Sequence, residues 1–165
     1  MRTLVFRLLS AALTAALLAG CAGGLPSEAV SGPASSAPAS STTQKEESSM
    51  TIQLQVNGST FTAALEQNAA ARALVELLKE QPLTIQMQNY GGFEKVGSLG
   101  ESLPTSDQQT TTQPGDIVLY QGDQIVIFYG SNSWSYTRLG RVDDLTGWAD
   151  ALGTGDVTVT FSLAE

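Results

Sequence analysis

Histidine is absent from this 165-residue chain, and cysteine occurs once, at Cys21. The first absence removes histidine general bases, Ser-His-Asp constellations and imidazole metal ligands. The second removes any intrachain disulfide and any cysteine cluster for zinc. Positive charge is also scarce. Eight Lys and Arg stand against sixteen Asp and Glu, for a net charge of −8. Such a chain lacks the electrostatic footprint of a nucleic-acid binder, so no nucleic-acid partner is expected. No G-x-S-x-G elbow occurs, and no carboxylate spacing matches a calcium loop. Gly153-Thr154-Gly155 follows a predicted helix and precedes a predicted strand, the reverse of a phosphate-binding loop. No metal and no cofactor is expected. A folded part of about 115 residues must then stand on its hydrophobic core alone, which that length permits.

What is present begins with a targeting pattern. Arg2 and Arg7 precede an apolar stretch from Leu8 to Leu18. It is too short for a stable span and suits a signal-peptide core. It ends in Leu18-Ala19-Gly20-Cys21, which resembles a bacterial lipobox. In proteins with that motif the cysteine is lipidated and becomes the first mature residue. Residues 1–20 are therefore expected to be a lipoprotein signal peptide, and Cys21 the lipidation site. The expected location is the cell membrane, lipid-anchored, facing the periplasm or the cell exterior. Residues 22–49 are rich in Ser, Ala, Gly, Pro and Thr, without apolar period. Together with Cys21 they form an expected disordered tether, 21–49, ahead of a domain at 50–165.

The domain reads as short strands with two helices. Thr51 to Asn57 alternates, with Ile52, Leu54 and Val56 on one side, and Asn57-Gly58 is a preferred hairpin turn into Thr60–Leu65. Asn68 caps a helix predicted over Ala69–Glu80, with Ala70, Leu74, Leu77 and Leu78 as its apolar stripe, and Pro82 stops it. Strands are predicted at Leu83–Gln88, Phe93–Val96 and Gln109–Gln113. Ile117–Tyr120 and Ile125–Tyr129 form a further hairpin, whose loop reads as Gly122-Asp123 in a type II′ turn. Both runs are apolar at successive positions, which predicts cover on both faces. Trp134 to Arg138 is another strand, Leu145–Leu152 a second helix and Asp156–Leu163 the last strand. In the second helix Leu145, Trp148, Ala149 and Leu152 share one side. About eight strands can close into a side-chain-filled barrel with the helices over its ends.

That order of elements, and the segment Leu139-Gly140-Arg141-Val142 before a short helix and a final strand, is similar to cyclophilins. Tyr90-Gly91-Gly92-Phe93-Glu94-Lys95-Val96-Gly97, Gly115–Gly122 and Ser131–Gly140 resemble a bacterial family of small cyclophilin-like domains, over essentially all of 50–165. The resemblance implies a mainly β fold, a closed eight-stranded barrel capped by two short helices. In cyclophilins that isomerise prolyl bonds, an Arg on the strand after the first helix is followed by Phe and Gln. Here Leu83–Gln88 has no Arg, and Tyr90–Lys95 supplies Phe93 but no Arg.

Two candidate binding features remain. Trp134, Tyr136 and Arg138 lie two apart on one strand face. They are either an aromatic platform with a guanidinium, suited to a peptide or carboxylate, or simple packing. Tyr90 and Phe93 flank Gly91-Gly92. They either line a groove or stand beside glycines needed only for positive φ. Asp143-Asp144 is read as complementing the second helix dipole. The expectation is a monomeric, membrane-anchored domain that binds a peptide or small molecule at Tyr90, Phe93, Trp134, Tyr136 and Arg138, and is not an enzyme. The alternative is a prolyl isomerase acting on exported proteins.

Overall fold

A computed structural model describes residues 50–164. The predicted signal peptide, Cys21 and the tether 21–49 lie outside them. Strand β1 (Thr51–Val56) buries Ile52, Leu54 and Val56, and turns into β2 (Ser59–Leu65). Asn57 and Gly58 have φ of 48° and 79°, as a two-residue type I′ loop requires. Helix α1 spans Ala69–Glu80, at the predicted bounds. The Asn68 carboxamide oxygen accepts from the Ala71 amide at 2.8 Å, which satisfies one orphan donor of the first turn. Its nitrogen donates to the Arg138 carbonyl at 2.7 Å, so the cap also fastens the helix to the sheet.

The remaining elements are β3 (Leu83–Tyr90), β4 (Glu94–Ser98), β5 (Gln108–Thr111), β6 (Asp116–Tyr120), β7 (Gln124–Phe128), β8 (Ser133–Val142), α2 (Trp148–Leu152) and β9 (Val157–Leu163). Neighbours run β2-β1-β9-β3-β4-β7-β6-β8-β5, and β2 pairs again with β8. Eight antiparallel strands thus form a closed barrel. The ninth, β5, flanks β8 outside the ring.

The interior holds one apolar cluster. Ile52, Leu54, Phe61, Met87, Ile117, Leu119, Ile125, Ile127, Val159 and Phe161 fill it from the strands, and Leu74, Leu78, Trp148 and Leu152 close it from the helices. Trp148 packs edge-on against Phe61 at 4.9 Å, and its indole N–H donates to the Phe128 carbonyl at 2.8 Å. A second cluster, Val118, Val126, Phe128 and Tyr136, lies on the outer face of β6 and β7. The successive apolar positions of these strands are therefore covered on both sides.

Two local expectations are corrected. Tyr120 pairs with Gln124, so the β6–β7 loop has three residues, Gln121 to Asp123. Its positive φ values fall on Gln121 and Gly122, not on a leading glycine alone. The second helix begins at Trp148, not Leu145. The Asp144 carboxylate accepts from the Thr146 amide at 2.9 Å, folding the chain into a turn, and Gly147 follows in the left-handed region. Those two Thr146 donors, the backbone N–H first and then the side chain, hold the Asp144 carboxyl below the usual range. Ala149 consequently faces solvent, and Ala151 takes its place in the core. Among the described residues no helix is long and apolar enough to cross a membrane.

Candidate functional site

The site arises from a strand that belongs to two sheets. Residues Thr137–Arg141 of β8 pair with β6 as part of the barrel wall. Ser133–Tyr136 leave that wall and pair with β5 instead. A bulge between the pairs Ile117–Gly140 and Val118–Arg138 marks the change. The outer half of β8 thus overhangs the outer face of β4, β7 and β6. A cavity of about 440 Å³ lies beneath it, within the size range of small-molecule sites.

Its walls follow from strand alternation. Gln88 and Tyr90 come from β3, Glu94 and Val96 from β4, Tyr120 from β6, Gln124 and Val126 from β7, and Trp134 and Tyr136 from β8. Tyr136 is buried and meets Phe128 and Tyr120 edge-on, at centroid distances of 5.7 and 6.0 Å. The Asn132 amide donates to its hydroxyl at 3.0 Å. Burial, and then the nearby Glu94 carboxylate, push this phenol above its ordinary pKa. Tyr90 and Trp134 are 65% and 56% exposed, two large aromatics that line the same cavity without packing in the core.

Glu94 is the unusual member. Its residue is 6% exposed, and Oε2 has no hydrogen-bond partner among the described residues. Burial raises its pKa from 4.5 to about 7. The next residue, Lys95, points into the barrel and has no solvent exposure. Its ammonium donates to Asn89 Oδ1 at 2.9 Å, the Gly153 carbonyl at 2.9 Å and the Gly155 carbonyl at 2.6 Å. It also sits 5.1 Å from the Tyr129 ring centroid. Burial lowers its pKa and Asp156 partly restores it.

Of the five residues singled out from sequence, the fold gathers Tyr90, Trp134 and Tyr136 around this cavity. Phe93 and Arg138 are not in its lining. Phe93 turns its ring back onto Gly91, where a Cβ would collide with it, and its carbonyl accepts from the Tyr129 and Gly130 amides. Gly91 and Gly92 both have positive φ, so the turn itself requires them. Arg138 reaches the fully buried Asp116, 3.4 Å from Oδ2, where the Gln113 amide also donates. Arg141 stands 3.5 Å from Oδ1 of the same carboxylate, outside hydrogen-bond geometry.

Sequence reasoning missed Glu94, Tyr120, Gln124 and Asn132. A signal for Glu94 existed: alternation puts it on the face of Val96, beside the apolar outer residues of the next strand. Among the described residues no group of three or more His, Cys, Asp or Glu could hold a metal ion.

A sequence model described as the Cyclophilin-like family matches residues 54–162. Among solved structures, the solution structure of a hypothetical protein from Archaeoglobus fulgidus is similar, with a TM-score of 0.53 at 16% identity. The match covers 70% of this chain and 95% of that one, and it speaks to the fold. No curated protein matches the sequence.

Proposed function

The chain belongs to the cyclophilin-like family, and on that footing we propose that it is a binding domain, holding a peptide or small molecule in the outer-face cavity without chemical change. The family name describes a barrel, and function must be argued from the site. One observation carries the reading. Four aromatic side chains, Tyr90, Tyr120, Trp134 and Tyr136, surround a cavity of about 440 Å³ whose other walls offer amides and one carboxylate. Aromatic walls with a few convergent polar groups describe a ligand site. Saturable binding of a short peptide or small molecule, lost in Trp134→Ala, is the expected result. Unchanged binding in that variant would remove this site.

Prolyl isomerisation is the alternative. The outward residues of β3 are Thr84, Gln86, Gln88 and Tyr90, and no guanidinium stands among them. Arg138 and Arg141 both lie at Asp116. The expected result of a protease-coupled isomerisation assay is no rate enhancement. An enhancement that Arg138→Ala abolishes would establish the enzyme instead.

The same proposal places the barrel at a membrane, held by lipid on Cys21. The support is the sequence pattern Leu18-Ala19-Gly20-Cys21 after a charged and apolar leader. Cys21→Ala should release the protein to the soluble fraction and remove lipid label. A variant that stays membrane-bound with no label would refute the anchor.

A further inference from the structure

We propose that the ligand of this cavity carries a cationic nitrogen, an ammonium or a guanidinium, whose N–H is accepted by Glu94; this rests on the binding reading of the cavity given above. Four observations converge on it. Glu94 lines the cavity, and its Oε2 is buried with no partner. Buried carboxylate oxygens are rarely left so, because an unpaired buried acceptor loses its water without replacement. Among the described residues no Lys or Arg lines the cavity, so none of them supplies the missing charge. Lys95, the nearest in sequence, has committed its donors on the barrel's inner side. Tyr90, Tyr120, Trp134 and Tyr136 line the same cavity as the carboxylate. Aromatic faces attract cations, most strongly when water is excluded.

The competing ligand classes fare worse. An anion would meet a carboxylate and negative ring faces. An apolar ligand would leave Oε2 unpaired. The net charge of −8 also favours approach of cations.

The other titratable groups facing Glu94 are phenols: Tyr90 from β3, Tyr120 from β6 and Tyr136 from β8. From β7 come Gln124 and Val126, which do not titrate. Burial keeps Tyr136 above the ordinary phenol range. Glu94 is therefore the group that sets the pH response near neutrality.

The test uses the protein purified in detergent and two probes, Nα-acetyl-arginine amide and Nα-acetyl-citrulline amide. The second replaces the guanidinium by a neutral urea of the same outline. NMR follows the indole N–H signals of Trp134, in the cavity wall, and Trp148, in the core. The arginine probe should shift the Trp134 signal saturably and bind about tenfold or more tightly than the citrulline probe. Its advantage should grow from about pH 5 to about pH 8, because ionised Glu94 has a pKa of about 7 without ligand. Glu94→Gln should remove most of the difference between the two probes, leaving only what the aromatic walls contribute, with an unchanged Trp148 signal reporting an intact core. Equal binding of both probes to the wild type overturns the cation assignment and leaves the cavity as a binding site. A preference that Glu94→Gln leaves undiminished, or that ignores pH in the wild type, overturns the role of Glu94. No saturable Trp134 shift with either probe removes the binding reading and this inference with it.

Discussion

Glu94 and Lys95 are neighbours on one strand, both charged and both buried, and they differ in almost everything else. Lys95 turns into the barrel mouth and meets an acceptor for each of its three protons. Glu94 turns outward under the β8 overhang and leaves Oε2 without a partner. The interior charge is thus part of the fold's own bonding, tying β4 to Asn89 and to the loop at Gly153–Gly155. The outer charge is an unmet demand. Removing a buried charge with every bond made leaves its partners unmatched, whereas one left open costs free energy until something meets it.

Removing the satisfied charge should do the most harm. Lys95→Met removes three charged hydrogen bonds, leaving the Gly153 and Gly155 carbonyls without this donor and Asn89 Oδ1 with the Tyr129 hydroxyl alone, and should cost about 3–5 kcal/mol. Urea unfolding checks this, and a loss too small to measure would dissolve the contrast. Next comes the pH dependence of Glu94. Its carboxyl is raised from 4.5 to about 7 in the folded state. Between those values the folded chain keeps a proton that the unfolded chain has lost. The Glu94 contribution is therefore complete below about 4.5, declines as pH rises through 7, and stays low beyond. The decline amounts to roughly 3 kcal/mol. Glu94→Gln should flatten that part of the profile and be relatively more stable than the wild type in alkaline buffer. A difference between the two that does not vary with pH would show that the carboxyl titrates normally.

A smaller effect tests the bridge between the two sides. Asn89 lines the outer cavity, yet its Oδ1 accepts from Lys95 and from the Tyr129 hydroxyl. Asn89→Ala should destabilise by about 1–3 kcal/mol, through the Lys95 side. The effect should largely vanish in a Lys95→Met background, as a double-mutant cycle would reveal. Least costly to stability is Trp134→Ala, at an exposed position, with a shift within about 0.5 kcal/mol. Any larger loss in thermal unfolding would make Trp134 a packing residue and not a wall held open for a ligand.

The sequence made the barrel readable wherever local rules and tertiary packing agree. Asn68 and Pro82 bracket α1, Asn57-Gly58 specifies its hairpin, and alternation reports the inward faces of β1, β3 and β9. The unbroken apolar runs of β6 and β7 foretold cover on both sides, without saying what supplies it. Elsewhere non-local contacts decided. Arg138 reads as a free guanidinium until Asp116, buried on the neighbouring strand, is seen beneath it. Nothing in residue type marks Glu94 and Lys95 as buried, although alternation puts Glu94 on the face of Val96. Only the pairing of β4 between β3 and β7, with β8 above, buries both. Likewise, that β8 splits its partners between β6 and β5 is a matter of a bulge, which leaves little trace in residue type.

That split gives β8 a mechanical property. Its Trp134 and Tyr136 roof the cavity, and farther along the same strand Gly140–Val142 latch onto Ala63–Leu65 to complete the ring. Gly140 lies so close to the Ala64 carbonyl that a Cβ there would strike it. Roof and latch belong to one continuous strand. On the proposed binding reading, filling the cavity should slow amide exchange at the distant latch, so that occupancy under one end of the strand would be read in how seldom the wall opens at the other.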